Sequence, residues 1–135
     1  MKVVPRLLLA GIPLLSACRS PAGASPCSGI DRSLESDRKA ALALALAKEL
    51  RLSTVDILES FRGLRWSIIY VDTHESDYQF LFFSGDPLSS HSVTAWGGAA
   101  AENEEQEIKD WTIKNAPGIP DHLASCFAWH VTKDR

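Results

Sequence analysis

Few side chains in this sequence have a spacing that could support catalysis or metal binding. The four histidines are far apart and form no H-E-x-x-H or similar pattern, so no zinc site is predicted. The stretch around His74 also carries Asp72, Glu75 and Asp77, which could hold a cation. It lacks the acidic order and distal bidentate glutamate of a calcium loop. We therefore predict a solvated hairpin connection there, with no metal and no other cofactor.

Nucleophilic catalysis is not indicated either. Two serine-containing turns, Ser84-Gly85-Asp86 and Ser89-Ser90-His91, lie close together in sequence, but no G-x-S-x-G elbow is present. Proximity in a turn does not create a catalytic triad, and serine, glycine and aspartate are common in turns for conformational reasons. We predict no catalytic residues and a protein that is not an enzyme.

Tryptophan is the residue type that most suggests a contact surface, because four are many for so small a domain and Trp is enriched at binding hot spots. Trp96 stands out, since Ser92 and Thr94 make its strand face polar and Gly97-Gly98 follows it. We predict that Trp96 binds a partner protein. The alternative is that its ring folds over the sheet edge onto a helix. Core packing is predicted for the other three tryptophans: Trp66, Trp111 and Trp129.

The elements that must position these side chains can be predicted from periodicity. Residues 33–52 are rich in alanine and leucine at helical spacing, with Ser33 as N-cap, and their wide apolar face predicts packing on a sheet. Residues 56–62 are predicted as a short second helix. Aromatic and β-branched runs predict three strands, and the first two are apolar on both faces, which indicates central strands covered on both sides. The three strands are residues 66–71, 78–83 and 92–96.

The C-terminal third predicts a further helix and a strand. Residues 102–115 have an acidic start and Lys114 near their end, which suits the helix dipole. In residues 125–131, alternation of Phe127, Trp129 and Val131 predicts a last strand. The predicted fold is a single α+β domain over residues 33–135, with the first helix packed on a mostly antiparallel sheet. Its predicted order is helix-strand-strand-strand-helix-strand.

The N-terminal stretch has the composition of an export signal. Lys2 and Arg6 form a basic head before the apolar run 7–15, which is shorter than the roughly 20 residues of a membrane span. It ends in Leu15-Ser16-Ala17-Cys18, which resembles the lipobox of bacterial lipoproteins. That resemblance covers only the first 18 residues and implies a signal peptide over residues 1–17, with Cys18 lipidated at the new amino terminus. Residues 18–32 are then predicted as a flexible, lipid-anchored spacer.

The resemblance also implies a location in the bacterial cell envelope. Arg19 replaces the aspartate that retains enteric lipoproteins in the inner membrane, so the family rule implies the outer membrane, facing the periplasm. The alternative is ordinary secretion, because Ala22-Gly23-Ala24 fits a general cleavage site and would leave a soluble protein. An uncleaved cytosolic chain fits this N-terminus least well.

Cysteine parity agrees with export. Once Cys18 is assigned to the lipobox or lost with the signal, Cys27 and Cys126 remain, and an even pair in an oxidising compartment predicts one disulfide. Two unpaired thiols are the alternative. A zinc site is not predicted because two distant cysteines lack ligand spacing.

Composition narrows the functional classes. Without Lys2 and Arg6, the 14 basic residues become 12 against 17 acidic ones, a net charge near −5. A mildly acidic surface argues against nucleic acid and against electrostatic binding to anionic lipid. We predict a small, non-catalytic envelope lipoprotein that binds another protein, with a weak analogy to inhibitor or immunity proteins. The alternatives are a small-ligand or degenerate enzyme-like domain with a pocket between the first helix and the sheet, and a purely structural envelope component.

Overall fold

The structure, a computed structural model, describes residues 24–135, so the predicted signal peptide and Cys18 lie outside the described residues. Three helices and four strands follow one another, with a 3-10 turn at Glu102–Glu104. Their bounds are α1 Ser36–Leu50, β1 Asp56–Gly63, β2 Trp66–Asp72, β3 Gln79–Phe83, β4 Thr94–Gly97, α2 Glu105–Asn115 and α3 Asp121–Lys133.

The strands form one antiparallel sheet in the order β1-β2-β3-β4, with helices on both faces. Leucines of α1 pack on one face and α2 and α3 cover the other. Successive side chains of a strand point to opposite faces, so the central strands are apolar throughout. On β3, Phe80 and Phe82 face α3, while Leu81 and Phe83 face α1. The predicted α+β class, the antiparallel sheet under the first helix and the doubly covered central pair are confirmed.

The first helix is shorter than predicted. Its N-cap is Glu35 rather than Ser33. The backbone N–H and hydroxyl of Ser33 instead both donate to the Asp31 carboxylate, at 2.8 and 2.6 Å. Ser33 therefore stabilises the turn before the helix, and it lies two residues before the N-cap position.

The predicted short helix at residues 56–62 is wrong, because this segment is strand β1. A register shift between Ile57 and Glu59 leaves Leu58 as an extra residue, which is a β-bulge. The bulge moves Ile57 to the α1 face, whereas Phe61 points to the opposite face with α3. A strand that switches faces midway loses its period-2 pattern, which explains the wrong prediction.

The predicted last strand at residues 125–131 is also wrong, because these residues belong to α3. Pro120 precedes the helix, where a residue without a free N–H costs no helical hydrogen bond. The helix lies across the sheet and under α2, so it is buried over most of its circumference. Phe127 and Val131, four residues apart, enter the same core. Trp129 is half-buried, and its alternation with them was coincidental.

The packed domain begins earlier than the predicted boundary at residue 33. Cys27 and Cys126 are joined with an S–S distance of 2.05 Å. Ile30 packs against the core that faces α3, and Asp31 exchanges two backbone hydrogen bonds with Arg62 of β1. The part of the predicted spacer from Cys27 to Asp31 is therefore held on the domain. Within the described residues, no helix combines the length and hydrophobicity that a membrane span requires.

Candidate functional site

The connection between β1 and β2 is the most unusual backbone segment of the described domain. Gly63 pairs with Trp66, so only Leu64 and Arg65 lie between the strands, and both have positive φ, 48° and 69°. This is the pattern of a type I′ turn, which favours Asn-Gly because other residues are strained in the left-handed region. Each strained residue costs on the order of 1 kcal/mol or more. We call Leu64 and Arg65 the hairpin tip.

The hairpin tip presents an apolar side chain directly to solvent. Leu64 is 81% exposed, and Arg65 beside it is exposed as well. Among the described residues Arg65 makes no ion pair and no side-chain hydrogen bond. A turn with only a connecting role gains nothing from a strained, exposed leucine. The sequence analysis missed this site because it placed a helix, and not a strand, just before it.

Below the hairpin tip lies an open cavity of about 450 Å³, which we call the arginine pocket. Arg38 of α1, Arg62 at the end of β1 and Arg65 contribute three guanidinium groups to its lining, against the two carboxylates of Asp31 and Asp86. The pocket is thus positively charged although the chain carries a formal charge of −3. Sequence reasoning found no basic cluster, because these arginines come from two distant segments.

Both carboxylates of the arginine pocket are committed to neighbouring donors. Hydrogen bonds from the Ser33 hydroxyl and backbone N–H, with further help from Arg62 at 2.6 Å, lower the pKa of Asp31 to about 2. The pKa of Asp86 is lowered by the Leu88 backbone N–H and then by Arg38, whose Nη2 lies 3.2 Å away. Both groups are therefore ionised at neutral pH and bound to fixed partners.

The arginines of the pocket are not fully satisfied. The Nε atoms of Arg38 and Arg62 are buried, and neither has a hydrogen-bond partner among the described residues. A guanidinium offers five N–H donors, and each of these two arginines gives only one to an aspartate. Most N–H groups of these two arginines, which both line the cavity, therefore have no acceptor among the described residues.

Trp96 is half-buried rather than openly exposed. Its ring centroid lies 5.6 Å from that of Phe127 in α3 and 6.1 Å from that of Phe80 on the neighbouring strand. Trp96 thus has apolar neighbours despite Ser92 and Thr94, because α3 supplies Phe127 where a strand was predicted. A partner contact at Trp96 stays a prediction.

The acidic hairpin connection contains a small cluster that includes a residue from outside it. Asp56, directly opposite Asp72 across β1 and β2, joins Asp72 and His74, whereas Glu75 and Asp77 do not take part. His74 Nε2 lies 2.8 Å from Asp56 Oδ2, so a hydrogen bond between the β2–β3 connection and the start of β1 accounts for the arrangement. The predicted absence of a metal stays a prediction.

The serine-rich loop does not assemble a triad in the described structure. The Ser90 hydroxyl donates to the Asp86 backbone carbonyl at 2.6 Å, and the Ser92 hydroxyl donates to Glu49 at 2.9 Å. His91 is 91% exposed on its side chain, and its Nδ1 lies 3.9 Å from Glu49. Both hydroxyls are engaged in hydrogen bonds that hold the loop. Their geometry does not test the prediction that the protein is not an enzyme.

A buried histidine was not singled out by the sequence. His130 of α3 is 4% exposed, and its ring nitrogens lie 3.0 Å from Glu59 and 3.1 Å from Asp134. Arg32 binds the same Glu59 at 2.7 Å and stacks over Phe61. The group joins β1, α3 and the segment before α1. The sequence did not indicate this cluster, because residues 125–131 were predicted as a strand and not as part of α3.

Comparison of the chain with protein-family models, with curated proteins and with solved structures found no match. Function is therefore inferred from the N-terminal sequence, the hairpin tip and the arginine pocket.

Proposed function

We propose that the protein is a non-catalytic binding domain that an N-terminal lipid at Cys18 anchors to the bacterial envelope, on the periplasmic face of the outer membrane. Ordinary secretion after Ala24 is the alternative localisation. The domain acts by binding another protein, and the contact is made by the hairpin tip. The observation that carries the proposal is the exposed Leu64 on a turn whose two central residues are both strained.

A two-residue turn that only connects two strands would be expected to contain a less strained pair of residues. An Asn-Gly pair would relieve the strain and remove an apolar side chain from water at the same position. Backbone strain persists where the surrounding structure holds it, and it concentrates at sites with a function. A rigid two-residue turn also loses little conformational entropy when it inserts into a partner.

The side chains of the hairpin tip indicate what kind of partner surface it would bind. Leu64 fits an apolar recess, and Arg65, together with Arg62 at its base, favours carboxylates around that recess. Most of the affinity is expected to come from these few side chains, as at other protein interfaces. Trp96 lies on the far edge strand β4, so a contact there would involve a separate surface.

The test is site-specific photocrosslinking in the native envelope. The full-length protein carries photoreactive p-benzoylphenylalanine in place of Leu64, and a matched variant carries it in place of Leu44, which is 77% exposed on α1. We expect a discrete protein adduct from position 64 and none from position 44. Equal labelling at both positions, or none at position 64, would refute the proposal.

A second variant separates binding from folding. Leu64→Asn combined with Arg65→Gly installs the favoured type I′ pair and is expected to raise the free energy of unfolding by about 1–2 kcal/mol. The same change should abolish co-purification of the crosslinked partner. Loss of the partner from a more stable protein cannot be attributed to unfolding, whereas retained binding would show that the hairpin tip is not the contact.

A further inference from the structure

We propose that the arginine pocket is a binding site for an oxyanion, that is, a phosphate or carboxylate group with several acceptor oxygens. This site adjoins the protein contact at the hairpin tip and shares Arg62 and Arg65 with it, but it does not include the apolar contact of Leu64. The cavity of about 450 Å³ has room for such a group. Three guanidinium groups face two carboxylates around it, which leaves one excess positive charge.

Each aspartate of the pocket accepts from fixed donors, whereas most guanidinium N–H groups have no partner among the described residues. Asp31 Oδ1 accepts from the Ser33 backbone N–H and hydroxyl, and its Oδ2 accepts from Arg62 Nη2. Asp86 Oδ1 accepts both the Leu88 N–H and Arg38 Nη2. The two aspartates thus hold the arginines in place and use only one N–H group of each.

The remaining donors have the geometry of an anion receptor. Arginine binds carboxylate and phosphate through parallel N–H groups, and such charge-assisted hydrogen bonds are stronger than neutral ones. Each aspartate takes one N–H group of its arginine, so the other guanidinium N–H groups of Arg38 and Arg62 have no partner among the described residues. Arg65 has no ion pair in the described part of the chain and can close over the anion.

Other candidates in the described structure are weaker. The Asp56, Asp72 and His74 group is exposed and explained by its own hydrogen bonds. The groove between α2 and α3 offers no unpartnered buried donor among the described residues. The arginine pocket differs from both because an excess positive charge, a cavity and guanidinium groups with few protein partners coincide there.

The test follows the side-chain Nε–H signals of the ¹⁵N-labelled full-length protein in detergent by NMR. Inorganic phosphate, or a short aspartate-rich peptide, is titrated against sodium chloride at equal ionic strength. We expect saturable shifts of the Arg38 and Arg62 signals with at least one of the two anions and not with chloride. Saturation by phosphate indicates a free solute, and saturation by the peptide alone indicates an acidic side chain of a protein. Saturation by neither overturns the proposal.

Variants assign the binding to the pocket. Arg38→Gln and Arg65→Gln should each weaken anion affinity at least tenfold, and Arg65 has no described partner whose loss could unfold the domain. Lys39→Gln removes the same charge from the neighbouring, exposed position of α1 and should change the affinity less than twofold. Equal loss in the Lys39 variant would show a general charge effect and refute the site. Leu64→Asn should leave phosphate binding within twofold, so this proposal and the protein contact fail independently.

Discussion

At the scale of single residues, His130 links the C-terminal helix to the first strand. Both of its ring nitrogens lie within hydrogen-bond distance of carboxylate oxygens, at 3.0 Å from Glu59 and 3.1 Å from Asp134. Its ring also packs edge-on against Phe61, with the centroids 4.9 Å apart. The side chain therefore combines polar and apolar contacts in a place where water has little access.

We predict that His130→Ala lowers the free energy of unfolding by about 2–4 kcal/mol, because hydrogen bonds to charged groups and packing on Phe61 are lost together. Urea unfolding followed by circular dichroism measures the loss. His122→Ala, at an exposed position of the same helix, should cost less than about 0.5 kcal/mol. Similar losses in both variants would contradict the role assigned to His130.

The lowered pKa of Asp31 predicts a pH dependence of stability. Its value in the folded protein is about 2, below the ordinary 3.8. The carboxylate therefore stabilises the fold fully above the unfolded pKa, and this contribution is lost as pH falls from about 4 towards 2. The melting temperature of Asp31→Asn should lie below that of the wild type at pH 6, and the difference should shrink at pH 2. A difference independent of pH would contradict the prediction.

At the scale of elements, the sequence predicted what regular periodicity encodes. Helix α1 and the central strands were predicted because their apolar residues follow one pattern along the whole element. Strand β1 was missed because the bulge at Leu58 moves its apolar residues from one face to the other. The sequence predicts a strand in place of helix α3, because burial on most sides of this helix removes the polar face by which an amphipathic helix is recognised.

The candidate site was hidden from the sequence for a related reason. The positive φ values of the hairpin tip arise from the two-residue connection between β1 and β2. The sequence does not predict this connection, because it predicts a helix in place of β1. The arginine pocket needs Arg38 and Asp86, which tertiary packing alone brings together at 3.2 Å. Orphaned donors are likewise a property of packing and have no signature in composition.

The packing of β4 against α3 decides how Trp96 should respond to truncation. Its ring contacts Phe80 and Phe127, so we predict that Trp96→Ala lowers the free energy of unfolding by about 2–4 kcal/mol, somewhat below the cost of a fully buried aromatic. Urea unfolding gives this value, and Val93→Ala, at an exposed position before the same strand, is the control. An unchanged stability would favour the alternative, in which Trp96 is a binding hot spot.

At the scale of the whole molecule, the Cys27–Cys126 disulfide joins the start of the packed domain to its last helix across 99 positions. Closing so long a loop restricts the unfolded chain, and the chain-entropy model gives a stabilisation of about 4–5 kcal/mol. Cys27→Ala combined with Cys126→Ala should lose this amount in urea unfolding. Mass spectrometry of the unreduced, alkylated wild type should find neither thiol modified, and two alkylated cysteines would contradict the pairing.

The disulfide also fixes how the domain would attach to a membrane. Cys27 is held against α3, so the stretch from Cys18 to Cys27 is the whole connection between the proposed lipid and the packed domain. Nine residues extend to about 30 Å at most, which keeps the domain close to the bilayer. A partner of the hairpin tip is therefore expected within reach of that membrane.

Lipidation of Cys18 is the prediction on which this placement depends. Several acyl chains exceed what stable anchoring requires, since each buried CH₂ contributes about 0.8 kcal/mol. Cells grown with a clickable fatty-acid analogue should label the wild type and not Cys18→Ala, and the wild type alone should sediment with membranes. Cys27→Ala retains the lipobox and should still be labelled, which controls for general effects of cysteine loss. Label on the Cys18 variant would show that the lipid is attached at another residue, and no label on the wild type would favour secretion without an anchor.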